Sequence, residues 1–303
     1  MTWGDFMHKQ ESKMIKGFIY AMLGAISWGF SGTCGQYLLD SKGLDPQYIV
    51  NVRIVFSGII LFITSLFQYR EKTFDIFKNK SDVYRLILFG IFGILCCQYA
   101  YLQAIGRTNA PTATVLQFLS TVFIMIGVCA KERRFPRPIE LISVFFAVLG
   151  TVILATHLKL NTLVISPDGL FWGLLAAFGV VMYTLTPIEL LKKYPTSVVT
   201  GLAMIIGGVI ITFINKPWNQ NVVFDFMTVL ALAGMVLFGT VLSFSLFLTG
   251  VSIIGPVKGS LITGVEAISA LIFSIILLGS HFAFMDILGM ASILFAVSIL
   301  SFK

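Results

Sequence analysis

Apolar side chains recur along this chain in long continuous runs, not in the one-sided stripe of a soluble helix or the alternation of a half-buried strand. Ten runs stand out: Gly17–Leu39, Tyr48–Phe67, Leu86–Ile105, Ala110–Ala130, Ile139–Thr156, Gly169–Ile188, Ser197–Ile214, Thr228–Gly250, Ser260–Leu278 and Ile287–Phe302. A helix needs roughly 20 mostly apolar residues to cross the hydrocarbon core of a bilayer. In lipid, an open segment can satisfy its own backbone polar groups only as a helix. The pattern predicts an all-α integral membrane protein with ten transmembrane helices. The longest polar connection, Tyr69–Arg85, has 17 residues and cannot house a soluble domain, so function belongs within the helices. Lys9, Lys13 and Lys16 precede the first run, which continues for 23 residues without a charge. A cleaved signal peptide has an apolar core of only about 7–15 residues, so this run is read as a retained helix.

Composition strengthens that reading. The 303 residues are 57% apolar and 12% charged, against about 45–50% and about 25% in soluble domains. Soluble, disordered, collagenous and disulfide-rich classes are excluded. A net charge of +7 would raise nucleic acid as a partner for a soluble protein; here the positions of the charges matter, because Lys and Arg concentrate in cytoplasmic loops. With ten spans, both termini share a side. That side holds Lys9, Lys13, Lys16, Arg70, Lys72, Lys78, Lys80, Arg85, Lys131, Arg133, Arg134, Arg137, Lys192, Lys193, Lys258 and Lys303, sixteen in all, while the other holds Lys42, Arg107, Lys159 and Lys216. Both termini are therefore expected in the cytoplasm of a protein of the cytoplasmic (inner) membrane. Cys34, Cys96, Cys97 and Cys129 lack metal-ligand spacing and lie in apolar runs. They read as small buried residues, and no metal or cofactor is expected. Nucleotide and hydrolase motifs are absent from the sequence.

An internal repeat is visible. Gly17, Ala21, Ala25 and Gly29 space small residues four apart in the first run, as Gly169, Gly173 and Ala177 do in the sixth, 152 residues later. Such residues allow close helix approach. Pro111 and Pro256, 145 apart, each open a run after a small residue. Two five-span repeats are expected, 17–156 and 169–302. An odd span number inverts the second copy, an arrangement typical of secondary transporters with a midplane site.

Polar groups at mid-depth supply the candidate site. Glu266, inside the ninth run, is costly in lipid and must meet a partner or a cavity. Arg53, near the outer end of the second run, either reaches the interface by snorkelling or contacts solute. Gln98, Tyr99, Gln117, Tyr183 and Ser243 fall at similar depth, with Gln98 and Ser243 145 apart. Trp28 lies too deep for an interfacial belt. Each of these could line a cavity or pack between helices.

Trp28-Gly29, Arg53, the run Gly106-Arg107-Thr108-Asn109-Ala110-Pro111-Thr112-Ala113, Lys131-Glu132-Arg133, and Gly255-Pro256-Val257-Lys258-Gly259-Ser260 leading to Glu266 together resemble the drug/metabolite transporter superfamily, specifically its ten-helix EamA type. The resemblance spans Gly17 to Phe302. It implies two repeats forming a basket around a central cavity, and export of small metabolites, amino acids among them, or of toxic compounds. One departure stands out: Thr121 and Ala267 occupy places where the family's fourth and ninth helices usually carry proline, so a proline-hinge gate is not expected. The sequence reading is thus a transporter of small organic solutes, an exporter, with proton-coupled import as the alternative. A membrane-embedded enzyme using Glu266 is a rival that lacks a second acid or base at matched depth.

Overall fold

The computed structural model describes residues 3–131, 133–158, 164–220, 222–254 and 256–301. Glu132, Lys159, Gly255, Phe302 and Lys303, used above, lie outside the described residues. Among those described, every regular element is helical. The helices are α1 (Trp3–Asp40), α2 (Pro46–Tyr69), α3 (Lys80–Leu88), α4 (Cys96–Ile105), α5 (Ala110–Phe118), α6 (Ser120–Lys131), α7 (Pro138–Thr156), α8 (Pro167–Leu185), α9 (Ile188–Leu191), α10 (Thr196–Asn215), α11 (Phe226–Val236), α12 (Ser243–Ile254), α13 (Pro256–Leu278) and α14 (Phe284–Ser301). Seven helical segments among the described residues are long and apolar enough to cross a membrane, and Ile262–Leu278 and Phe284–Ile299 are shorter apolar helices.

Two long segments are not α-helical throughout. Between α3 and α4 the residues Phe89–Leu95 form a π-helix, and between α11 and α12 so do Leu237–Leu242. Both segments continue without a break in direction-setting loops, so each acts as one rod with a widened turn in its middle. Such π-turns cluster at functional sites. The α5–α6 segment is tightened at Leu119, whose N–H donates to the Leu116 carbonyl at 3.1 Å. No proline lies between Thr112 and Ala130, so this irregularity forms without one.

Local chemistry sets the helix starts. Asp45, Asn109, Ser166 and Asp225 cap α2, α5, α8 and α11, each accepting from a backbone N–H of the first turn. Pro46, Pro111 and Pro167 occupy the first turns of the first three of these, where a missing N–H costs nothing. Ion pairs then tie loops together. Lys42 pairs with Asp225 and Arg107 with Asp168, and a hydrogen bond of 2.7 Å joins His157 Nε2 and Asp286 Oδ1. The Lys42 ammonium holds the Asp225 carboxyl below the usual carboxylate range. At the other end of the same rods, the carboxylate of Asp82 accepts from Lys193 Nζ and Tyr194 Oη at 3.0 Å. Glu140 is fully buried and accepts from both Nη atoms of Arg134 and from Arg137 N.

The two halves of the chain interlock. α1 packs on α12 and α13, while α8 packs on α4 and α5; α2 pairs with α10, and α7 with α14. Small residues make this possible. A Cβ added at Gly24 would meet Phe247 N at 2.8 Å, and one at Gly29 would meet Glu266 O and Ala270 N at 2.7 Å. One at Gly179 would meet Cys97 Cα at 2.6 Å. The small-residue stripes of α1 and α8 therefore each face the opposite half. The outward surface is apolar: Phe213 and Ile276 are 71% and 70% exposed, as lipid-facing side chains are.

The α7–α14 crossing gives a test of this packing. An added Cβ at Gly150 would meet Gly289 O and Ile293 Cγ1 at 2.7 Å, whereas one at Gly127 meets nothing within 4 Å. Gly150→Leu should destabilise the detergent-solubilised protein by about 1–3 kcal/mol through overpacking, and Gly127→Leu should leave it unchanged or stabilise it by up to about 1 kcal/mol, the helix propensity gained over glycine. Thermal unfolding of the two variants side by side checks this; equal midpoints would show that the crossing is loose.

Candidate functional site

A cavity of about 250 Å³ lies where the two halves meet. α4 and the π-helix before it present Gly93, Ile94, Cys97, Gln98 and Tyr101 to it, a helical spacing that puts one face inward. α8 contributes Val180 and Tyr183, α12 Phe244 and Phe247, α5 Gln117, α1 Trp28, α2 Arg53, and α13 Glu266. Six of the eight sequence candidates, Trp28, Arg53, Gln98, Gln117, Tyr183 and Glu266, thus border one space.

Tyr99 and Ser243 are not among its lining residues. Tyr99 follows Gln98 by one position, about 100° around the helix, and turns to the outside of the rod. Its hydroxyl accepts from Gln47 Nε2 at 3.2 Å and its ring packs edge-on against Trp172. Ser243 is fully buried with its hydroxyl near the Thr240 carbonyl at 3.4 Å, and its backbone carbonyl faces Gly24 of α1. The next residue, Phe244, takes the inward place. Phe244 and Phe247 line the cavity from α12 with the same three-residue spacing as Gln98 and Tyr101 from α4.

Arg53 does not snorkel. It is 6% exposed, and its guanidinium turns inward to the π-helical segment, donating from Nη2 to Gly239 O at 3.1 Å and from Nε to Thr240 Oγ1 at 3.4 Å. Glu266, on α13, reaches the same cavity from another wall, and Ser269 Oγ donates to its backbone carbonyl at 2.9 Å. Glu266 is the one carboxylate among the lining residues, and none of them is a histidine. Gln117 Nε2 donates to Cys97 Sγ at 3.4 Å, and Tyr101 Oη and Thr114 Oγ1 lie 2.8 Å apart. Trp28 sits against Phe244 and Phe247, with ring centroids 5.3 and 4.9 Å away. Packing and lining, posed above as alternatives, are both met by this one side chain. Among the described residues no group of three His, Cys, Asp or Glu side chains comes together as a metal site would need.

A second cavity, about 520 Å³, lies toward one end of the bundle, lined by residues including Gln68, Tyr69, Pro195, Thr196, Thr200 and Thr249. Phe244 borders both cavities. It stands as the partition between an end vestibule and the inner chamber. Sequence reasoning missed Phe244, Phe247 and Cys97; in a chain with 28 phenylalanines no local signal separates a lining ring from a packing one.

A helical membrane protein with interlocked halves and, between them, a small chamber whose largely apolar walls carry a few polar groups has the architecture of a secondary transporter. The chain belongs to the EamA-like transporter family, which matches residues 15–156 and again 168–302. It is 35% identical to the uncharacterized inner membrane transporter YicL of Salmonella typhimurium, over 94% of this chain and 95% of that one. It is 23% identical to an uncharacterized transporter of Clostridium kluyveri, covering 93% and 91% of the two chains, and 20% identical to the uncharacterized transporter YrdR of Bacillus subtilis, covering 92% and 89%. A crystal structure with 14% identity shares the fold, with a TM-score of 0.61 over 95% of this chain and 96% of that one. The protein is a multi-pass membrane transporter of the inner membrane.

The partition can be tested at Cys97. Phe244→Ala should raise the rate at which a small methanethiosulfonate modifies Cys97 several-fold, followed by mass spectrometry of the modified peptide. An unchanged rate would show that Phe244 does not separate the vestibule from the chamber.

Proposed function

We propose that the protein exports small organic metabolites from the cytoplasm through the chamber around Glu266 and Arg53. The observation that carries this reading is the convergence of six separated polar or aromatic candidates on one buried space. At about 250 Å³ it is smaller than the roughly 300–1,000 Å³ of sites for drug-sized ligands, which favours small metabolites over bulky toxic compounds. The reading takes the chain as ten spans in two inverted repeats, 17–156 and 169–302, with both termini cytoplasmic. Three things support it: the sixteen-to-four distribution of Lys and Arg, the interlocking of each half's first helix with the other half, and ion pairs that join loops at each end of the rods. The vestibule beside Tyr69 and Pro195 lies on the lysine-rich side, next to Lys192 and Lys193. A solute would then enter from the cytoplasm, which favours export. Uptake is the second reading.

Glu266 is assigned a part in proton exchange or solute contact, since a carboxyl in the membrane interior is costly to keep unless it is used. An enzymatic role for Glu266 has less support, because among the described residues no second carboxylate and no histidine lines the chamber. Flux in proteoliposomes of defined orientation tests the whole reading: solute efflux from the cytoplasmic face should depend on the protein, and flux only in the opposite sense would make it an importer. Glu266→Gln keeps the side-chain shape but cannot titrate. It should lower transport and flatten its pH dependence; full activity with an unchanged pH profile would leave Glu266 structural. For orientation, Lys42→Cys should react with an impermeant thiol reagent added to intact cells and Lys78→Cys should not; the reverse pattern would invert the topology.

A further inference from the structure

We propose that Arg53 is the receptor for a carboxylate on the transported solute, and that the chamber favours solutes with one anionic group over those with two. The proposal rests on the chamber being the solute site, as argued above. Arg53 lies on α2, is 6% exposed, and lines the chamber. Its guanidinium is permanently charged and carries five N–H donors. Nε and Nη2 are spent on the wall, on a hydroxyl and a backbone carbonyl of the π-helical turn. Nη1 is buried and has no hydrogen-bond partner among the described residues.

Neutral acceptors hold the side chain in place but do not balance its charge, and among the described residues Arg53 forms no ion pair. Glu266, the one carboxylate in the chamber, forms no ion pair with it, and a buried charge that is not directly paired is costly. A guanidinium edge matches a planar carboxylate in shape and charge, which is why arginine serves so often to bind that group. The protein supplies the wall side of the fork, and the chamber side remains for the solute.

Glu266 sets the limit. It borders the same space of about 250 Å³, and Arg53 is the one cationic side chain in the lining, so a second anionic group on the solute would enter beside a carboxyl with no cation left to pair with it. Discrimination of this sort comes from leaving the wrong ligand's charge unpaired as much as from attraction. Trp28, Phe244 and Phe247 offer apolar rings to the remainder of the solute. The chemistry that fits is a small monocarboxylate with an apolar body.

Three matched probes decide the matter: 3-phenylpropionate, its amide 3-phenylpropionamide, and the dicarboxylate phenylsuccinate. Each is titrated against the full chain purified in detergent, with the unfolding midpoint as readout, since a bound ligand stabilises by mass action. The wild type should bind phenylpropionate at least about tenfold more tightly than either other probe, the usual worth of a charge-assisted hydrogen bond. Arg53→Gln should remove that preference and leave the amide unaffected. Equal response to acid and amide in the wild type, or no response to any probe, overturns the proposal, as does a preference that survives in Arg53→Gln. If Arg53→Gln fails to fold, the wild-type comparison still decides. Val180→Trp, which fills the chamber, separates the two readings. Tight phenylpropionate binding that persists in Val180→Trp places the site elsewhere and removes the chamber as the solute site. Binding lost in Val180→Trp, without a carboxylate preference in the wild type, removes only the role of Arg53.

Discussion

Close backbone contact between the two halves of the chain is the constraint from which the rest of this structure follows. Lipid tails are as apolar as leucine, so burial gives helices in a bilayer little reason to associate. They are held by dispersion contacts, which fall away within an ångström of the optimum. At Gly24, Gly29, Gly150, Gly173, Gly179 and Gly289 neighbouring atoms stand where a Cβ would have to be. Helices pinned this closely at their crossings are spread apart by the large side chains just beyond. Trp28 follows Gly24 by one helical turn, and Phe247 lies against Gly24 itself. The chamber is the space that this wedge-and-pin arrangement encloses, with eight of its lining residues from the first half of the chain and five from the second.

The chamber's polar groups are held by irregular backbone. In a regular α-helix each interior carbonyl already accepts a bond from within, which leaves less of it open to a neighbouring arginine. The π-helical turn at Leu237–Leu242 loosens that pattern, and Gly239, having no side chain, lets Ser31 and Arg53 approach its carbonyl side. Arg53 is thereby drawn into the protein and away from the lipid headgroups. A charged side chain that could have reached the interface instead contributes to a buried electrostatic asymmetry, with Arg53 on α2 and Glu266 on α13 facing the same space.

Much of this was legible in the sequence, because bilayer physics writes in long words. Runs of twenty apolar residues, four-residue spacing of small ones, and a carboxyl inside the ninth run survive any uncertainty of a few positions. Glu266, Gln98, Gln117 and Trp28 could be picked out because polar or bulky amphipathic groups at mid-depth are rare. What failed was angular resolution. Tyr99 and Ser243 have the right depth, but one residue along a helix is about 100° of rotation, and depth alone carries no azimuth. The π-turns were hidden altogether, since Phe-Gly-Ile-Phe-Gly-Ile-Leu has no composition that separates it from an α-helical stretch. The direction of Arg53 depended on that hidden turn, so the sequence left snorkelling and solute contact open for it.

The same π-turns carry a consequence for how such a chamber diversifies. A π-turn accommodates a residue beyond what an α-helical turn holds, so it is the one place in a packed rod where chain length can change while both ends stay anchored. Loss of a single residue from Leu237–Leu242 would let the turn close into a regular α-helix while Phe244 and Phe247, beyond it, kept their places in the chamber. The change would fall on Gly239 and Thr240, the acceptors that hold Arg53. A lineage built this way can re-aim the one cation of its chamber through a single codon gained or lost, with the aromatic wall undisturbed.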